Sequence, residues 1–153
     1  MDDNALILIV VIAILIIMSA YFSATETAFS SLNKIKLKNL AVNGSKRAES
    51  TLNLAKKFDS ILSTILIGNN IVNIASASIA TIVFTKYYGD AGVTISTIVM
   101  TIVVLIFGEI SPKSLSKESP EKFAMFSTPI LKVLLIIFTP LNFVFGLWKK
   151  TIS

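Results

Sequence analysis

Cysteine and histidine are both missing from this chain of 153 residues. Their absence excludes disulfides, thiolate and imidazole metal ligands, Cys or His nucleophiles and histidine proton switches, so any metal site has to be built from oxygen. Charge is also scarce: 15% of residues are charged against 54% hydrophobic. A typical soluble domain carries about 25% charged residues, and the balance here implies several passes through a membrane. The net charge of +5 would suit nucleic acid if basic residues alternated with aromatics. They sit instead in short blocks beside apolar runs, the pattern of membrane topology, so no nucleic-acid partner is expected. No nucleophile and base pair or glycine-rich nucleotide motif occurs, so the chain is not expected to be an enzyme.

What the sequence does contain is long apolar runs. Those at residues 5–29, 61–84 and 93–110 approach or exceed the roughly 20 residues needed to cross about 30 Å of hydrocarbon. The first follows the acidic start MDDN and lacks both a basic leader and a small-residue cleavage site, so it is expected to be retained as a helix. Lys34, Lys36, Lys38, Lys46, Arg47, Lys56 and Lys57 crowd the next connection and place it in the cytoplasm, leaving the N-terminus outside. Asn43-Gly44 divides that connection into two short amphipathic helices, a juxtamembrane hairpin over about residues 34–58. The short, nearly neutral TKYYGDAG turn belongs outside; Lys113, Lys117 and Lys122 return the chain to the cytoplasm.

The fourth apolar stretch, about residues 120–150, holds Pro129, Lys132 and Pro140 and ends in Lys149-Lys150. As a fourth span it would put those terminal lysines outside, against the other charges. Two prolines also interrupt helix hydrogen bonding, which favours broken helices forming a cytoplasmic-side belt at the interface. The expected fold is therefore an all-α, multi-pass membrane protein with three transmembrane helices, a juxtamembrane hairpin and a belt, its C-terminus in the cytoplasm; four spans is the alternative.

Polar residues interrupt these runs in SAYFSATETAFSSLN, IGNNIVNIASAS and VLIFGEISPKSL. At helical spacing Ser19, Ser23, Glu26 and Ser30 share one face, and Asn69, Asn73 and Ser76 another. At 1.5 Å per residue Asn69 lies about 15 Å above Asp59, deep in the layer. In the third stretch, Pro112 lacks an N–H, so the carbonyl of Gly108 loses its α-helical partner; Glu109 adds a charge beside it and Ser111 a hydroxyl. Irregular backbone at membrane depth recurs where it lines an ion cavity. Residues 108–112 thus read as half of an oxygen-only cation site, and the mid-membrane asparagines offer amide carbonyls suited to a desolvated cation.

Plainer readings apply to several of these residues. Ser19, Ser30, Ser76 and Ser78 suit helix packing, Pro112 a kink or helix end, and Glu26 either a structural or gating group paired with Lys34 or Lys113 or a metal ligand.

The three stretches YFSATETAFSSLN, TILIGNNIVNIASA and VLIFGEISPKSL resemble the signature segments of the membrane domain of CNNM/CorC magnesium transporters, a likeness covering nearly the whole chain. It implies a homodimer in the lipid bilayer of the cell membrane, moving Mg2+, with Na+ coupling in some members, and a longer parent with ATP-binding cytoplasmic CBS-pair domains. It carries a Mg2+ site onto Ser23, the asparagines Asn69, Asn70 and Asn73, and Gly108 with Glu109; Glu26, Ser111 and Pro112 would gate or support it. The expected function is a carrier working by alternating access. A membrane-anchored ion-sensing or scaffold module is the alternative, and a channel the third.

Overall fold

The computed structural model describes residues 2–152 and contains no strand among them. Helix α1 runs Asp3–Ser30, α2 Lys34–Val42, α3 Lys46–Ala55, α4 Phe58–Tyr88 and α5 Ala91–Val103. A π-helical segment, Val104–Ile110, leads into α6, Ser111–Glu118; α7, Pro120–Ile137, and α8, Thr139–Ile152, complete the described chain. Three helical stretches are long and apolar enough to cross a membrane: α1, α4 and the continuous path Ala91–Glu118. At 28 residues, α1 is about 42 Å long, so its ends overrun the hydrocarbon and the helix outlasts the apolar run that marks it.

The third helical path does not stop at Ile110, where the apolar run fades. Ser111 donates its N–H to the Ile106 carbonyl five residues back, and helix resumes through Glu118. Pro112 stands in the first turn of α6, where a missing N–H costs little, so it is accommodated by a change of register and not by a break.

The chain divides into two compact units. The first comprises the residues up to Ala24 together with Gly68–Leu115. Its core mixes small polar residues with apolar ones such as Phe22, Val72 and Met100. Ser19, Ser23, Ser76 and Ser96 are buried, whereas Ile17 and Ile74 are 68% and 67% exposed. Small hydroxyl residues let helices approach closely, and large apolar ones face lipid, which rewards burial no more than a protein interior does. Phe22 lies over Gly68, where an added Cβ would come within 2.6 Å of the ring. Lys86 donates to the Asp2 carboxylate, which also accepts the Ala5 N–H at 2.8 Å. The lysine bond first, and that amide second, hold the Asp2 carboxyl below the usual carboxylate range.

The second unit comprises Thr25–Ile67 and the chain from Ser116 onward. Its helical hairpin is built from local signals. Asn33 caps α2 by accepting the N–H groups of Ile35 and Lys36, and Ser45 caps α3 by accepting that of Ala48. Between them Gly44 takes φ +103°, which a side chain would strain. Helix α3 packs on α7, where the hydroxyls of Thr51 and Thr128 meet at 2.7 Å, both buried. Thr25 and Ser127 lie 3.2 Å apart, and Asn142 donates to Thr64 at 2.9 Å. Lys36 and Glu121 form an ion pair at 3.9 Å.

Helices α7 and α8 pass the length and apolarity test only together, and they bend by 70° at Phe138. Of the two prolines expected to break this stretch, Pro129 lies inside α7 without ending it, and Pro140 sits in the first turn of α8, just after the bend. No residue of α8 is buried; Phe143, Val144, Phe145, Leu147 and Trp148 are all exposed.

Candidate cation site

All six residues expected to hold a metal fall within the first unit, on α1, α4 and the π-helical segment. The best connected side chain is Ser19. Its hydroxyl is buried and donates to Asn69 Oδ1 at 2.7 Å. Asn73 Nδ2, one turn along α4, donates to the same oxygen at 3.3 Å. Asn69 is thereby held by two donors, and Asn73, having given its N–H, retains a carbonyl oxygen free of protein partners among the described residues. Ser76 donates to the Asn73 backbone carbonyl at 2.9 Å, fixing the next turn.

Gly108 belongs to the same cluster. A Cβ built on it would lie 3.1 Å from Ser19 Oγ and 3.6 Å from Ser19 Cβ, so the π-helical backbone meets α1 at this point because Gly108 has no side chain. Its carbonyl lacks an α-register donor because Pro112, itself buried, has no N–H. Ser23, one turn beyond Ser19 on α1, is 1% exposed, and its hydroxyl has no hydrogen-bond partner among the described residues. A buried polar atom left unpaired costs about 1–3 kcal/mol, a cost the structure bears at both Ser23 Oγ and Asn142 Oδ1.

Glu109 is partly buried, and no ion pair or hydrogen bond engages its carboxylate among the described residues. The remaining expected residues behave differently. Asn70 is exposed and outside the network, so the three asparagines are not equivalent: Asn69 and Asn73 form the hydrogen-bonded pair. Ser111 is exposed. Glu26 belongs to the second unit, where its backbone carbonyl accepts the Ser30 hydroxyl and no ion pair reaches its carboxylate, from Lys34 or any other described lysine.

Sequence reasoning left Ser19 among the packing serines. The available signal was its position four residues before Ser23 on the same face. It also passed over a cavity of about 250 Å3 lined by Asn73, Thr81, Ser96, Thr97 and Thr101 together with the apolar Ala77, Met100 and Val104. Thr97 and Thr101 satisfy themselves on their own helix, each bonding a carbonyl four residues back, so neither stands out in sequence.

The donor set is hydroxyl, amide and backbone carbonyl with one carboxylate nearby, and no cluster of three or more acidic residues occurs among the described residues. Hard cations take such oxygens, and a site with little charge of its own can release what it binds. The fold defines a multi-pass helical membrane protein, with a cluster of oxygen-bearing groups where α1, α4 and the π-helical segment meet.

Residues 10–153 match the family described as the Cyclin M transmembrane N-terminal domain, CNNM, and the chain belongs to that family. It is 43% identical over 145 residues to a UPF0053 protein of Haemophilus influenzae, an alignment covering 95% of this chain and 34% of that protein. It is 45% identical over 123 residues to the UPF0053 inner membrane protein YfjD of Escherichia coli, covering 80% of this chain and 29% of YfjD. A third relative, a polyamine export protein of Haemophilus influenzae, is 27% identical over 150 residues, covering 90% of this chain and 35% of that protein. The chain thus spans about a third of the length of the curated relatives it matches.

Proposed function

We propose that this domain is the membrane part of a Mg2+ transporter, a carrier that moves the ion by alternating access past Ser23, Asn73, Gly108 and Glu109. The observation that carries the reading is the buried, unpartnered Ser23 hydroxyl, one turn from the Ser19–Asn69–Asn73 network and the Gly108 backbone. Ser23, Asn73 and the Gly108 carbonyl supply neutral oxygens, and Glu109 the only formal charge. One carboxylate leaves a bound divalent ion partly uncompensated, which favours exchange over trapping. Asn69 and Ser19 position the set; Asn70, Ser111 and Glu26 stand outside it, with Glu26 at most a gate. Na+ is the proposed coupling ion, and the working unit is a homodimer in the cell membrane, N-terminus outside and C-terminus in the cytoplasm, as the lysine distribution supports. No enzymatic step is assigned.

The relative named as a polyamine export protein supports cation transport as the general class. That the relatives are about three times longer favours a second reading, in which the domain anchors and senses ions for a cytoplasmic module.

The test is calorimetric Mg2+ binding to the purified chain, followed by flux into liposomes with Ca2+, spermidine and a Na+ gradient as competing conditions. Glu109→Gln should keep the fold and weaken Mg2+ binding roughly tenfold or more, since a charged contact of about 1.5–3 kcal/mol is removed. Unchanged affinity in the folded variant would reject Glu109 as a ligand. Binding without flux would favour the sensing reading.

A further inference from the structure

Three clefts lie on the basic hairpin and α7 in the second unit, and their charge is not alike. One, of about 400 Å3, has Lys34, Lys38 and Lys56 facing Glu49. Another, of about 340 Å3, pairs Lys36 and Lys122 with Glu118 and Glu121. The third, of about 330 Å3, is lined by Lys57 and Lys132 with Ser50, Asn53, Leu135 and Ile136, and alone among the three has no carboxylate in its wall. Its two lysines come from different elements, the α3–α4 connection and α7, and neither forms an ion pair among the described residues.

Lys132 is the anomaly. It stands in PILKVLLII, where Val133, Ile136 and Ile137 are 56%, 74% and 61% exposed. A lysine alone on an apolar helix is explained by its stem lying along the surface with its ammonium at the water interface. That account requires neither a second unpaired lysine lining the same cleft nor the Ser50 and Asn53 side chains that line it with them.

We propose that this cleft binds an anionic phospholipid. Lys57 and Lys132 hold the headgroup phosphate, Ser50 and Asn53 hydrogen-bond its oxygens, and an acyl chain lies along Leu135 and Ile136. The apolar wall, continuous with the exposed face of α7, selects a lipid over a free anion. Basic pockets beside membrane helices attract anionic headgroups, each lysine contributing a severalfold preference. The proposal does not depend on the Mg2+ reading.

The experiment is native mass spectrometry of the full chain released from detergent, titrated in parallel with phosphatidylglycerol and phosphatidylcholine, folding being checked by thermal melts. The wild type should retain phosphatidylglycerol severalfold better. Lys57→Gln and Lys132→Gln should each lower that preference roughly fivefold and the double variant abolish it, while Lys132→Arg preserves it and Lys38→Gln, in the neighbouring cleft, has no effect. A preference that survives the double variant overturns the proposal. So does displacement of the lipid by an equal concentration of inorganic phosphate, which would make the cleft a simple anion site. Should the double variant melt early, Lys132→Arg against Lys132→Gln decides, and an equal loss in both overturns the charge-based site.

Discussion

Ser19 is the residue on which the polar cluster turns, because its single hydroxyl serves Asn69 while its β-carbon leaves just enough room for Gly108. Ser19→Ala should cost about 1 kcal/mol, the range of hydrogen bonds inside membrane proteins, and leave Asn69 Oδ1 held by Asn73 alone. Gly108→Ala brings a methyl to 3.1 Å from the Ser19 hydroxyl and should cost about 1–3 kcal/mol through overpacking. The two should be coupled: in the Ser19→Ala background the added methyl meets a carbon at 3.6 Å and the Gly108→Ala penalty should shrink by 0.5 kcal/mol or more. Unfolding of the four variants in detergent measures the cycle, and strictly additive losses would mean that the two residues do not touch in the folded protein. At this scale the polar faces of α1 and α4 and the carbonyl that Pro112 leaves at Gly108 were legible from residue type and spacing, but not which of Asn69, Asn70 and Asn73 join one network. Ser19 was not, because a serine that packs and a serine that orients an amide look alike until its partner is known.

The element that most departs from sequence expectation is the third membrane helix. Proline and glycine four residues apart suggest a broken helix, yet Val104–Ile110 absorbs the irregularity as π-helix and α6 carries on. Inserted π turns favour functional sites because they rotate side chains and unpair carbonyls without ending a helix. Pro112→Ala restores an N–H within reach of the Gly108 carbonyl, so it should lower Mg2+ affinity severalfold while raising thermal stability slightly. Calorimetry on the folded variant checks this: an affinity equal to wild type would remove the Gly108 carbonyl from the ligand set and leave Pro112 a feature of helix geometry alone. Helix α7 teaches the converse. Pro129 lies inside it unbroken, and the bend comes at Phe138, where local backbone geometry and the following Thr139-Pro140 decide what hydropathy could not.

For the whole molecule, the lack of cysteine makes topology directly measurable. Single replacements Lys46→Cys, Asp90→Cys and Lys150→Cys each introduce the sole thiol. In intact cells a membrane-impermeant maleimide should label Asp90→Cys alone; after permeabilisation all three should react. Labelling of Lys150→Cys from outside would make α7 and α8 a fourth, bent span and overturn the proposed orientation of the C-terminus. The number of long apolar helices was legible because spanning a hydrocarbon layer demands about 20 apolar residues in a row, whatever the surrounding fold. That α7 and α8 are broken apart was legible from Pro140 beside the 70° bend; whether the bent pair crosses the membrane was not, because its apolar length is split between two helices.

By itself the sequence determined the membrane class, the three long helices, the two-helix hairpin over about residues 34–58, and an inventory of oxygen-bearing side chains without thiol or imidazole. Each follows from local rules: apolar length, turn residues and side-chain chemistry. Only the tertiary structure decided which asparagine pairs with which, that Ser19 meets both Asn69 and Gly108, that the Ser23 hydroxyl is buried without a partner, and that Lys57 and Lys132 share a cleft free of carboxylates. The reason is physical. These relations join residues dozens of positions apart through helix packing, and side-chain periodicity along one helix says which residues share a face but nothing of what that face will meet.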